Sequence, residues 1–91
     1  MEVRASHILV GGRELAEQIM NKVEAGESFP KLAVEHSKCP SKNKGGDLGF
    51  FARGRMVPEF DRFCFSHKKG EMGLVKTQFG WHVIMVTDVK K

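Results

Sequence analysis

Gly45-Gly46-Asp47-Leu48-Gly49-Phe50-Phe51-Ala52-Arg53-Gly54-Arg55-Met56-Val57-Pro58-Glu59-Phe60 decides how the rest of this 91-residue chain is read. Three glycines and an aspartate fall within its first five residues. Glycine tolerates positive φ and close backbone approach, so the segment opens on a tight turn that feeds a short strand. Arg53-Gly54 makes a second turn, and Pro58 suits the first position of the helix that follows. Met56 and Phe60 are four residues apart, a spacing that stacks both side chains on one helical face. Leu48, at the start of the strand, is placed to face them. The expected product is a small apolar cup of Leu48, Met56 and Phe60, open to solvent, in which truncating Met56 or Phe60 harms function more than stability.

The flanking segments read as wall and floor around that cup. From Val3 to Val10 the chain alternates, with Val3, Ala5, His7 and Leu9 on one face and Arg4, Ser6, Ile8 and Val10 on the other. This is a strand covered on both sides, ended by Gly11-Gly12. Leu15, Ala16, Ile19, Met20 and Val23 recur at helical spacing between Arg13 and Ala25, with Gly26 as C-cap. Ser28 caps a second helix with Pro30 in its first turn and Phe29, Leu32, Ala33 and His36 on one face. Pro40 disfavours helical geometry at Cys39, so Ser37 to Ser41 breaks that helix, and Lys42 to Lys44 is a polar connector. After the cup come a helix from Pro58 to Phe65, a polar loop from Ser66 to Gly70, a strand from Met72 to Thr77 and a turn at Gln78-Phe79-Gly80. Trp81 to Val89, rich in β-branched residues, is the strongest strand, with His82, Ile84 and Val86 facing one way and Val83, Met85 and Thr87 the other. The order β, α, α, β, α, β, β predicts a single α+β domain over residues 1–91, a four-stranded, mainly antiparallel sheet surrounded by three to four short helices.

Bulk properties narrow the functional classes. Hydrophobic content of 41% and charged content of 29% are those of an ordinary globular domain with one core. The net charge of +4 comes from scattered rather than blocked cations, and the aromatics are mostly phenylalanines at core-like positions, so no nucleic-acid surface is expected. No apolar run approaches the ~20 residues of a membrane span, so no membrane insertion is expected. Met1-Glu2-Val3-Arg4 shows no leader pattern, and two cysteines are too few for a disulfide framework. A monomer in the reducing cytoplasm is the expected state.

Few residues are placed to carry chemistry. His7 and His82 lie within separate strands, where a lone histidine is usually structural. If the first and last strands are neighbours, two neutral imidazoles can hydrogen-bond in series, with the network ending on Thr77 or on Cys39. Cys39 reads either as a half-buried structural thiol or as a thiol near a histidine at a reacting bond. Cys64, among Phe60, Phe63 and Phe65, reads as core. His36 and His67 receive no role. No short Cys or His spacing supports a metal, no phosphate-cradling or nucleophile-elbow motif occurs, and no cofactor is expected.

Several motifs together resemble the parvulin peptidyl-prolyl cis–trans isomerases. They are Ser6-His7-Ile8-Leu9-Val10, Phe29-Pro30-Lys31-Leu32-Ala33 with His36-Ser37, Gly45-Gly46-Asp47-Leu48-Gly49 with Met56-Val57-Pro58-Glu59-Phe60, and Gln78-Phe79-Gly80-Trp81-His82-Val83-Ile84. They run in order over nearly the whole chain, at the length of a minimal single-domain parvulin. The resemblance implies an FKBP-like superfold with the first and last strands central. It implies a proline pocket of Leu48, Met56 and Phe60 with Phe79 at its edge, a polar tetrad of His7, Cys39, Thr77 and His82, and a hydroxyl near the tetrad from Ser37. The implied activity is non-covalent isomerisation of X–Pro bonds in unfolded or partly folded polypeptides. A non-catalytic peptide-holding module using the same groove is the alternative. Phosphate-directed parvulins carry a long basic loop after the first strand, whereas Val10-Gly11-Gly12-Arg13 is short with a single cation. An apolar or unselective residue before proline is therefore expected.

Overall fold

A computed structural model describes residues 1–91. Strands β1 (Glu2–Val10), β2 (Asp47–Phe51), β3 (Met72–Thr77) and β4 (Gly80–Lys90) form one antiparallel sheet in the order β2-β1-β4-β3. Helices α1 (Arg13–Glu24), α2 (Phe29–His36) and α3 (Pro58–Ser66) and a 3-10 helix over Pro40–Lys44 surround it. No helix is long and apolar enough to cross a membrane.

The alternation in β1 and β4 divides the core in two. On one face Ile8, Val10 and Val83 pack with Ala16 and Ile19 of α1 and with Phe29, Leu32 and Ala33 of α2. On the other, Val3, Ala5, Ile84 and Val86 pack with Phe51 of β2 and with Phe60 and Cys64 of α3. Ile8, Val83 and Ile84 are fully buried, and each such side chain stabilises the fold by about 1.5–3 kcal/mol relative to exposure. Both central strands are thus sandwiched, which is why their sequences are apolar on both faces.

Local chemistry sets the connections. Ser28 Oγ accepts the Lys31 N–H at 3.3 Å and caps α2. The segment read as a polar connector is a 3-10 helix that begins at Pro40 and ends on Gly45 at φ 67°. Gly46, at φ 87°, is required where it stands: a Cβ there would lie 2.5 Å from the carbonyl oxygen of His7. That close approach lets the His7 N–H donate to Gly46 O at 2.9 Å, so the glycine turn is pinned to the backbone of His7. A bulge leaves Thr87 without a partner, because Arg4 pairs with Asp88 while Ala5 pairs with Val86.

Candidate active site

β1 and β4 are central neighbours, and Leu9 pairs with His82 while His7 pairs with Ile84. His7 and His82 are therefore diagonal neighbours on the same face of the sheet. Their Nδ1 atoms are 2.9 Å apart and the rings are nearly parallel, 16° between planes with centroids at 5.1 Å. His82 Nε2 lies 2.7 Å from Thr77 Oγ1, which also accepts the Phe79 N–H at 3.1 Å. A hydroxyl has one proton and two lone pairs, so Thr77 Oγ1 can accept the Phe79 N–H and still either donate to His82 Nε2 or accept from it. One Nδ1–H donates across the pair: with the His82 proton on Nε2 the donor is His7 Nδ1, and with it on Nδ1 the acceptor is His7 Nδ1. His7 Nε2 is buried without a protein partner. Of the two network ends compatible with the sequence, the structure has Thr77.

Both imidazoles are held neutral. Burial, and secondarily the neighbouring His82, pulls His7 down to about 4. Burial also lowers His82. A doubly protonated pair is further disfavoured because two Nδ1–H groups cannot face each other at 2.9 Å.

Leu48, Met56 and Phe60 converge above this floor. The Phe60 ring stands edge-on to both imidazoles, with centroids 5.4 Å from each. Together with Phe79 and Cys39 these residues bound a groove of about 430 Å³ that contains His7 and His82. Phe79 is mostly exposed at the rim. Leu48 leads in from the turn pinned to His7, and Met56 is held at the entry to α3.

Three expectations need correction or refinement. Phe60 is only 3% exposed and belongs to the core with Cys64, Ile84 and Val86, because α3 points this face at the sheet. It is groove wall and core together, so an open cup describes half-buried Leu48 and Met56 but not Phe60. Ser37 is buried and does not border the groove: its Oγ accepts the N–H groups of Leu9 at 3.0 Å and Cys39 at 3.3 Å. It ties the Cys39 loop to β1 and acts as a positioning residue. Cys39 borders the groove, but its hydrogen bonding is through its backbone, so it stands beside the His7–His82–Thr77 chain rather than within it.

Other residues escaped the sequence reading. Buried Asp61 accepts the Gly54 N–H at 3.0 Å and the Arg53 Nε–H at 2.9 Å, fixing the turn that presents Arg55 and Met56. On the sequence it reads only as an acidic residue in a first helical turn. Lys38 and Arg55 also border the groove, from segments that sequence spacing does not connect. The one cation of the short loop, Arg13, is turned to Glu17 at 3.5 Å and to the Trp81 ring at 5.4 Å.

Comparison with known proteins agrees with this geometry. Residues 1–90 match the family model of the PPIC-type PPIase domain. The foldase protein PrsA of Geobacillus kaustophilus is 47% identical over 92 residues, covering 99% of this chain and 33% of that protein. PrsA of Bacillus subtilis is 46% identical over 89 residues, covering 96% and 30%. The chain thus spans about a third of the length of these curated relatives. The crystal structure of Bacillus subtilis PrsA superposes with a TM-score of 0.93 at 44% identity, over 99% of this chain and 36% of the other. The solution structure of NmPin, the parvulin of Nitrosopumilus maritimus, superposes with a TM-score of 0.87 at 39% identity, over 96% of both chains. With a family match along nearly its whole length, a parvulin fold and the paired histidines beneath an apolar groove, the chain belongs to the PPIC-type peptidyl-prolyl isomerase family, the parvulins.

Proposed function

We propose that this domain accelerates cis–trans rotation of X–Pro bonds in unfolded or partly folded polypeptides without covalent chemistry. The observation that carries the reading is the convergence of Leu48, Met56 and Phe60 over a hydrogen-bonded, neutral histidine pair. Rotation of a peptide bond faces a barrier of ~18–20 kcal/mol because twisting destroys amide resonance. Both X–Pro isomers are populated, and they exchange only over tens of seconds or longer. No bond need break, so a catalyst has only to bind the twisted amide better than either planar form. The apolar groove holds the pyrrolidine ring while the carbonyl side swings. Its low polarity disfavours the charge-separated planar amide relative to the less polar twisted one. The chain from Phe79 through Thr77, His82 and His7 fixes the polar floor in one arrangement, so no reorganisation is needed as the bond turns.

Cys39 fits a non-covalent role, since attack on the carbonyl is unnecessary for rotation. We also take the domain to act as a monomer, and assign it to a reducing compartment, the latter reading supported by two thiols that the fold leaves free. One is Cys39 beside the groove. The other is Cys64 in the core, pushed up to about 12 by burial and by Asp61. Light scattering on purified protein and fractionation of cells test those two assignments.

The activity is tested by a protease-coupled isomer assay on a short Ala-Pro peptide. Acceleration at catalytic concentrations of the domain supports the proposal. Binding without acceleration would leave a peptide-holding module instead.

A further inference from the structure

The groove is bordered by two cations, Lys38 and Arg55, and by no carboxylate. Four of the fifteen cations have acidic partners, Arg4 with Asp47, Arg13 with Glu17, Arg53 with Asp61 and Lys69 with Asp88, and what sets Lys38 and Arg55 apart from the other unpaired ones is their place on the groove. Lys38 and Arg55 have none within 4.0 Å. The contrast is clearest in the turn before α3, where Asp61 locks Arg53 while Arg55, two residues on, stays exposed beside Met56. Lys38 is positioned rather than loose at its base, because its N–H donates to Leu9 O at 2.8 Å. Its Nζ lies against Gly11, 3.0 Å from where a Cβ would stand, and so fills the space over the short β1–α1 loop. An ammonium and a guanidinium from two separate segments thus flank an apolar groove whose histidines carry no charge.

We propose that Lys38 and Arg55 are specificity-determining residues that favour X–Pro bonds with a carboxylate side chain, Glu or Asp, next to the proline. This rests on the isomerase reading and names its preferred substrate class. Two unpartnered cations beside low-dielectric walls attract a passing anion and raise its local concentration. Exposed pairs are individually weak, so the expected gain in kcat/KM is about three- to tenfold.

The test measures isomer exchange by NMR, which needs no coupling protease, on peptides containing Glu-Pro, Gln-Pro, Pro-Glu, Pro-Gln and phosphoserine-Pro. At low salt the glutamate peptides should exchange about three- to tenfold faster than their glutamine counterparts in at least one of the two positions. The difference should shrink towards unity in 1 M salt, where the Debye length is about 3 Å. Combined Lys38→Gln and Arg55→Gln substitution should bring the glutamate peptide to the glutamine rate. Phosphoserine should gain alongside glutamate. Equal rates for Glu and Gln in both positions overturn the proposal, as does a gain that survives the double substitution or high salt. A gain for phosphoserine without one for glutamate overturns it in favour of a phosphate seat. Failure of every peptide to be accelerated removes the isomerase reading and this selection with it, whereas uniform acceleration removes the selection alone.

Discussion

His7 releases its proton far more readily in the folded chain than in the unfolded one, at about 4 against an ordinary 6.5. Between those values the unfolded chain binds a proton that the folded chain declines. Stability is therefore fully present above pH 6.5 and falls as the pH drops towards 4, by about 3 kcal/mol if His7 acts alone, then levels off. His82 is shifted in the same direction and steepens the fall. Urea unfolding at a series of pH values reads the slope, and the imidazole proton resonances of His7 identify its source. A His7 midpoint near 6.5 would show that the ring is not desolvated as described. Cys39 makes the opposite kind of prediction. Standing outside the hydrogen-bonded chain, it should tolerate Cys39→Asp and Cys39→Ser with losses in kcat/KM below about 10²-fold, the low end for removing an acid–base group. Larger losses in both variants would favour a nucleophilic thiol.

Elements decide which of these residues meet. The β3–β4 turn ends on Thr77, whose hydroxyl serves both His82 Nε2 and the Phe79 N–H. Thr77→Val removes both bonds in a buried setting and should cost about 1–3 kcal/mol, measured by thermal unfolding, with Thr77→Ser recovering most of it. At the entry to α3, Met56 in the preceding turn and Phe60 on the helix should separate. Phe60→Ala opens the core against Ile84 and Val86 and should cost about 3–5 kcal/mol, whereas Met56→Ala should lower activity with a smaller loss of stability. Equal destabilisation by the two would place Met56 in the core. The sequence carried the strand alternation that sets His7 and His82 on the α3 face, and the glycine and proline signals that bound β2 and α3. It did not carry the depth of Phe60, and the shared helical face expected for Met56 and Phe60 does not form, because α3 begins at Pro58 and Met56 reaches the groove from the turn before it. Asp61 was hidden for a related reason: its partners, Arg53 and Gly54, lie outside its helix and meet it only once the turn folds back. Ser37, expected to serve substrate beside the tetrad, turns its hydroxyl to the backbone N–H groups of Leu9 and Cys39 rather than to the groove, a partnership that depends on where the loop settles against β1.

At the scale of the whole molecule, the site exists because the two ends of the chain are laid side by side. The bond between His7 and His82 joins residues 75 positions apart, through strands that lie at the centre of the sheet. The resemblance to parvulins supplied that topology, and the apolar character of both strands supplies the physical reason for it. Lys38 and Arg55 were not connected by sequence, since their juxtaposition depends on where two loops settle around the finished sheet. The central claim is that the apolar walls and the neutral pair beneath them lower the barrier to rotation. The most direct measurement is two-dimensional NMR exchange on an Ala-Pro peptide at pH 7, with the unmodified domain and with Met56→Ala. Exchange cross-peaks between cis and trans should appear at mixing times far shorter than the tens of seconds of the free peptide, and weaken in the variant. Peptide-induced shifts at Leu48, Met56 and Phe60 with the two isomers exchanging no faster than in free solution would contradict it.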